Sequence, residues 1–82
     1  MPKRLTLIGK PGCHLCDVAR AVVDRVVATL PSDAVVLEER DILQDAELFD
    51  LYVEQIPVLL IDGEEHGHWR LDDARLAAAL AR

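Results

Sequence analysis

The chain reads as an α/β protein in which a four-stranded mixed sheet is flanked by three helices, in the order β-α-β-α-β-β-α. Three observations lead there. Leu15, Ala19, Val22, Val23, Val26 and Leu30 recur at three- and four-residue spacing directly after a short apolar stretch, which gives a strand followed by an amphipathic helix. Val58 to Ile61 is a continuous apolar run ended by Asp62-Gly63, the dipeptide that most strongly signals a two-residue hairpin. Between them the pattern alternates strand with helix, and helical crossovers between strands predict parallel pairing early in the chain, with the hairpin supplying an antiparallel finish.

Each element has its own signal. Leu5, Leu7 and Ile8 form a short buried strand that runs into the turn Gly9-Lys10-Pro11-Gly12. The helix beginning at Leu15 carries Asp17, Arg20, Asp24 and Arg25 on its polar side and is closed by Pro31. Val35 to Glu39 is a β-branched, briefly alternating strand, and Asp41 to Gln44 a connector. Ala46 to Glu54 reads as a short helix with Asp45 as N-cap and Leu48, Leu51 and Tyr52 on one side. Val58 to Ile61 and Glu64 to Arg70 are the hairpin strands, the second polar enough for a sheet edge. Asp72 caps the last helix, Leu71 before it is placed to pack on Leu76 as a hydrophobic staple, and Leu76, Ala79 and Leu80 face inward.

Size and charge narrow the function. The 82 residues suit one domain spanning the whole chain. With 9 Lys and Arg against 15 Asp and Glu, the net charge of −6 has the wrong sign for gripping phosphates or an anionic membrane. No nucleic-acid or membrane partner is therefore expected. The 51% hydrophobic content is that of a folding chain, and with Phe49, Tyr52 and Trp69 as its only aromatics the core must come from Leu, Val, Ile and Ala. The longest apolar run, Leu76 to Ala81, is too short to span a bilayer, and Lys3-Arg4 is followed by no apolar stretch of signal-peptide length, so a cytoplasmic protein is expected.

Chemistry converges on Lys10-Pro11-Gly12-Cys13-His14-Leu15-Cys16. A bridge between cysteines three apart closes so small a loop that it removes little entropy from the unfolded chain, so the pair is poorly explained as a staple. Cys13 falls at the start of the helix, where backbone N–H groups lack intrahelical acceptors and the helix field favours a thiolate. Lys10 and a protonated His14 push the same way, whereas Asp17 opposes. Cys16, three residues on, lies on the same side of the first turn. This spacing allows attack by Cys13, a mixed disulfide and release by Cys16. Two other readings stand beside it: two structural cysteines, or a binding module whose Cys pair holds metal together with His66 and His68. Pro57, at the start of a buried strand, reads from composition as a trans proline that stops the preceding helix.

The Lys10-Pro-Gly-Cys-x-x-Cys16 motif after a first strand, Ile56-Pro57-Val58 before a hairpin strand, and the element order together resemble the glutaredoxins, the compact branch of the thioredoxin fold. The likeness covers essentially the whole chain and is greatest to short bacterial glutaredoxin-like proteins, with Cys-His-Leu-Cys in place of the usual Cys-Pro-Tyr-Cys. The resemblance implies a thiol-disulfide oxidoreductase active in cell redox homeostasis, with Cys13 as nucleophile and Cys16 resolving. It implies a cis Pro57 facing the cysteines and an Ile56 backbone that pairs with the bound peptide or thiol. Lys10, His14 and Asp72 are the further candidates for binding the thiol. No resident cofactor is expected, glutathione being the candidate co-substrate. The partner is a disulfide-containing protein or a low-molecular-weight thiol, and the protein is expected to act as a monomer. One departure stands out: the double glycine that precedes the acidic pair in glutaredoxins is replaced by Gly67-His68-Trp69-Arg70-Leu71 ahead of Asp72-Asp73, where Trp69 reads equally as plain edge packing.

Overall fold

The computed structural model describes residues 2–81, and the element order is the expected one. Strand β1 (Lys3–Gly9) leads through a Pro11-Gly12 turn into helix α1 (His14–Val27). Strand β2 (Val35–Asp41) passes into a short 3-10 helix (Ile42–Gln44) and helix α2 (Ala46–Tyr52). Strands β3 (Val58–Ile61) and β4 (Glu64–His68) form the hairpin, and helix α3 (Asp73–Leu80) ends the chain. The sheet order is β2-β1-β3-β4.

Strand direction decides where the functional residues gather, and here one expectation needs correction. Only β1 and β2 are parallel, with Gly9 opposite Asp41; β3 runs antiparallel to β1, with Val58 opposite Ile8. The two connections differ in length. Helix α1 has 14 residues, about 21 Å at 1.5 Å per residue, enough to carry the chain back along β1 before β2 begins. Helix α2 has 7 residues, about 10 Å, so the chain stays at the end of the sheet where β2 finished. Strand β3 therefore starts beside the end of β1. The Pro57 that precedes it and the Pro11-Gly12 turn lie at the same end.

Period-two alternation in the strands divides the core between the two faces of the sheet. Leu5 and Leu7 of β1 and Leu59 of β3 join Ala19, Val22, Val23 and Val26 of α1 and Leu76 and Leu80 of α3 in the larger cluster. Ile8 and Val58 point the other way and pack with Ile42, against which Leu48, Tyr52 and Ile56 lie. Leu51, expected on the inner side of α2, is 57% exposed. Leu48 and Tyr52, four residues apart, already fill the single stripe that so short a helix turns to the sheet. Among the described residues no helix is long and apolar enough to cross a membrane.

Element ends follow local chemistry. Helix α1 stops three residues before Leu30, because Thr29 and Leu30 donate their N–H groups to Val26 and Val27 in tighter three-residue turns and the Thr29 hydroxyl also bonds the Val26 carbonyl at 2.7 Å. Strand β2 reaches Asp41, two residues beyond its expected end, and the Asp41 carboxylate then caps the 3-10 helix through the Leu43 N–H. Asp45 caps α2 through the N–H groups of Glu47 and Leu48, and α2 ends at Tyr52 rather than Glu54. The Asp62-Gly63 turn has φ of 51° and 86°, the pair of left-handed residues that a type I′ hairpin needs. Strand β4 stops at His68 instead of Arg70, since Trp69 takes a φ of 61° and leaves the extended region.

Asp72 accepts from the N–H groups of Ala74 at 2.8 Å and Arg75 at 3.2 Å, as an N-cap of α3. Leu71 packs on the cluster that contains Leu76. Asp72→Ala removes this cap and is expected to cost about 1 kcal/mol, lowering the melting temperature by roughly 4–8 °C in a domain of this size. Thermal unfolding followed by circular dichroism checks this, with Asp72→Asn expected to retain most of the stability.

Candidate active site

Cys13 is the N-cap of α1, with an extended backbone at φ −91° and ψ 113°. Its carbonyl accepts the first helical bond, from the Asp17 N–H at 3.1 Å, and its sulfur accepts the Cys16 N–H at 3.2 Å. The helix thus begins on the thiol itself. Gly12, at φ 76°, makes the turn that brings the chain there, a left-handed conformation that a side chain would strain. Both cysteines are free thiols and they are unequally placed. Cys13 is half-buried, whereas Cys16 is 2% exposed. Sequence spacing put both at the turn; the structure sets Cys16 in the buried face of the helix, in series with Ala19 and Val23.

Burial pushes the Cys16 thiol up to about 11 from 9.0, and its hydrogen bond to the Cys13 thiol and the charges of Cys13 and Asp17 add to the rise. The Lys10 backbone N–H acts in the other direction, favouring the thiolate. Cys16 therefore rests protonated at neutral pH. Its surroundings are charged: Gly9, Lys10, Pro11, Asp17, Arg20, Glu39, Arg40 and Asp41 line with it a pocket of about 390 Å³. Arg20 bridges Asp17 at 2.9 Å and Glu39 at 2.6 Å, tying the first turns of α1 to β2.

The Ile56-Pro57 peptide is cis, and the reading of Pro57 from composition as an ordinary trans proline does not hold. Pro57 is fully buried and its carbonyl accepts the Trp69 N–H at 2.8 Å. Ile56, named for backbone pairing with a bound peptide or thiol, has its own N–H engaged by the Tyr52 carbonyl at 3.1 Å. Its carbonyl is the group left to offer. Trp69 is more than edge packing. The indole N–H bonds the Glu54 carbonyl at 3.1 Å, and the ring meets His68 edge-on at 4.8 Å while remaining 53% exposed. Pinned at backbone and ring, it forms a shallow groove with Leu15, His68 and Arg70 beside the cysteine loop.

The remaining candidates divide. Lys10 shares the Cys16 pocket, and exposed His14 opens α1 beside Cys13. Asp72 lines neither that pocket nor the Trp69 groove and spends one carboxylate oxygen on capping α3. Its neighbour Asp73 is held by Arg25 at 3.0 Å, and the guanidinium lowers its pKa. His66 and His68 do not gather with the cysteines as a metal site. A register shift in the hairpin pairs Leu59 with Gly67 and Leu60 with Glu65, so His66 has no partner opposite. His66 then lies with Lys3, Ile61 and Ala79, while His68 faces the Trp69 groove and meets Glu65 at 3.1 Å. Among the described residues no group of three His, Cys, Asp or Glu side chains is gathered as a metal site.

A mixed four-stranded sheet of order β2-β1-β3-β4 flanked by three helices, with a Cys-x-x-Cys loop leading into the first, defines a protein of the thioredoxin fold. Within that class the chain belongs to the family described as the glutaredoxin-like domain (DUF836), whose model matches residues 4–81. An uncharacterized protein of Mycobacterium tuberculosis is 28% identical over 82 residues, covering 96% of this chain and 84% of its own. The X-ray structure of the structural genomics target XcR50 from X. campestris is 33% identical, covers 94% of this chain and 95% of its own, and superposes with a TM-score of 0.76. Chloroplastic thioredoxin z, 12% identical with a TM-score of 0.77, covers 98% of this chain and 76% of its own and shares the fold.

The raised thiol of Cys16 links stability to alkaline pH. An unfolded cysteine gives up its proton near 9.0 while the folded one keeps it until about 11, so folding stability falls as pH rises through that window, by an amount on the order of 2 kcal/mol. Urea unfolding between these pH values is expected to show this decline in the native protein and to show it reduced in Cys16→Ala.

Proposed function

We propose that the protein is a thiol-disulfide oxidoreductase whose dithiol is Cys13 and Cys16. The observation that carries the reading is the inequality of the pair: a half-exposed sulfur at the helix cap, and a buried, protonated thiol one turn behind it. Such a pair separates the two steps of dithiol exchange. The Cys13 thiolate attacks one sulfur of a substrate disulfide, the substrate bond breaks, and the departing half leaves as a thiolate, with Cys13 now in a mixed disulfide. The Cys16 N–H donates to the Cys13 sulfur at the start of the helix, a position where negative charge is favoured. Cys16, held protonated by burial, does not compete for substrate in this step.

In the second step Cys16 loses its proton and attacks the Cys13 sulfur, expelling the second substrate thiolate and leaving the Cys13-Cys16 disulfide. Two electrons have passed to the substrate, and two equivalents of an external thiol restore the dithiol. The substrate is a disulfide-containing protein or a low-molecular-weight disulfide, glutathione serving as candidate thiol. Ile56 offers its carbonyl and Pro57 a buried wall at the same end of the sheet, with Lys10 and His14 flanking the cysteine loop as candidate contacts for the thiol, while Asp72 stays with the cap of α3.

The test is the reduction of a disulfide substrate by the two single variants. Cys13→Ser is expected to abolish exchange, whereas Cys16→Ser is expected to accumulate about one equivalent of mixed disulfide on Cys13, visible as an adduct mass that reductant removes. Full exchange activity in Cys13→Ser contradicts the mechanism.

A further inference from the structure

Gly9 occupies a place where a side chain would ordinarily be favoured. It is the last residue of β1, paired with Asp41, and its backbone is not left-handed, unlike that of Gly12 and Gly63. Glycine in extended strand backbone brings no turn and no packing, and its usual meaning is a close approach by another group. That group is the second cysteine. A Cβ built on Gly9 would stand 2.8 Å from the Cys16 sulfur and 3.2 Å from the Cys16 Cβ, well inside contact distance. No backbone atom stands in the way. The missing methyl is the space in which the thiol sits.

Both sides of that contact are fixed. Gly9 is held by β2, and its neighbour Ile8 is held by β3 opposite Val58. Cys16 is held in the first turn of α1 by the bond from its N–H to the Cys13 sulfur. What can yield is the Cys16 thiol, by rotation about its Cα–Cβ bond, and that rotation alters the sulfur's position relative to Cys13. The next peptide also contributes, since the Lys10 N–H favours the Cys16 thiolate.

Resting on the dithiol reading, we propose that Gly9 is the positioning residue of the second step: its lack of a Cβ seats the Cys16 sulfur against the end of β1, from where it opens the mixed disulfide at Cys13. The chemistry is unchanged by this role. Cys16 as thiolate forms the bond to the Cys13 sulfur, the bond between Cys13 and the substrate sulfur breaks, and the substrate half leaves with the electron pair. Gly9 sets how often the attacking sulfur is aligned to do this before an outside thiol intervenes.

The experiment uses dithiobis(nitrobenzoate) on the fully reduced protein under single-turnover conditions. Each Cys13 attack releases one coloured thionitrobenzoate ion, and each Cys16 attack on the resulting mixed disulfide releases a second, at a rate independent of reagent concentration. Gly9→Ala is expected to keep the first release at the native rate and slow the second by about 10- to 100-fold, the cost of misplacing a reacting group by an ångström or so. The mixed disulfide on Cys13 then persists long enough to be weighed. A second release at the native rate in Gly9→Ala overturns the proposal. A native protein that releases only one ion sinks the dithiol reading, and the proposal with it. Should Gly9→Ala fold too poorly for kinetics, Gly9→Ala combined with Cys16→Ala decides. Recovered stability in the double variant supports the seat, since only the thiol's partner space was taken, and an undiminished loss of stability contradicts it.

Discussion

The Cys16 N–H donating to the Cys13 sulfur at 3.2 Å is the contact on which the rest of the site depends. It makes one side chain both the cap of α1 and the candidate nucleophile, so the sulfur cannot be placed independently of the helix it starts. The helix in turn is fixed by Ala19, Val22, Val23 and Val26, buried against Leu5, Leu7 and Leu59 of the sheet and Leu76 and Leu80 of α3. Precision at the thiol is thus inherited from the core. The surface bridges from Arg20 to Glu39 and from Arg25 to Asp73 hold the same helix to β2 and α3, but exposed pairs of this kind contribute little each.

The second determinant is the direction of β3. Because α2 is too short to return the chain along the sheet, β3 begins where β1 ends, and Pro57 comes to the same end of the sheet as the cysteine loop. The hairpin then brings β4 back to that end, where the Trp69 N–H bonds the Pro57 carbonyl. Two turns and one short helix therefore assemble a site from three separated stretches of sequence. The charged lining around Cys16 comes with it, since the parallel partner β2 ends at Asp41 opposite Gly9.

Local signals made much of this legible. The helical spacing from Leu15 onward, the Asp45 and Asp72 caps, the Asp62-Gly63 turn and the Cys13 position at a helix start are all properties of short windows, and each is present. What the windows do not contain is register. The antiparallel direction of β3, the unpaired His66 and the early end of β4 at Trp69 depend on how distant segments meet, which no periodicity encodes. Gly9 shows the limit most plainly. Beside Lys10-Pro11-Gly12 it reads as one more turn glycine, whereas it belongs to the strand, and its reason lies seven residues on at the Cys16 sulfur. The cis bond before Pro57 became an expectation only through resemblance to glutaredoxins, because composition alone favours trans.

Reversible exchange of Cys13 and Cys16 between dithiol and disulfide is measured by equilibrating the protein in graded glutathione redox buffers. After acid quenching and thiol labelling, a single two-electron transition from two labelled cysteines to none is expected, with the midpoint between about −270 mV and about −200 mV, the span from thioredoxin-type to glutaredoxin-type couples. Two cysteines that remain labelled across the whole series, or that end only as separate glutathione adducts, would contradict it.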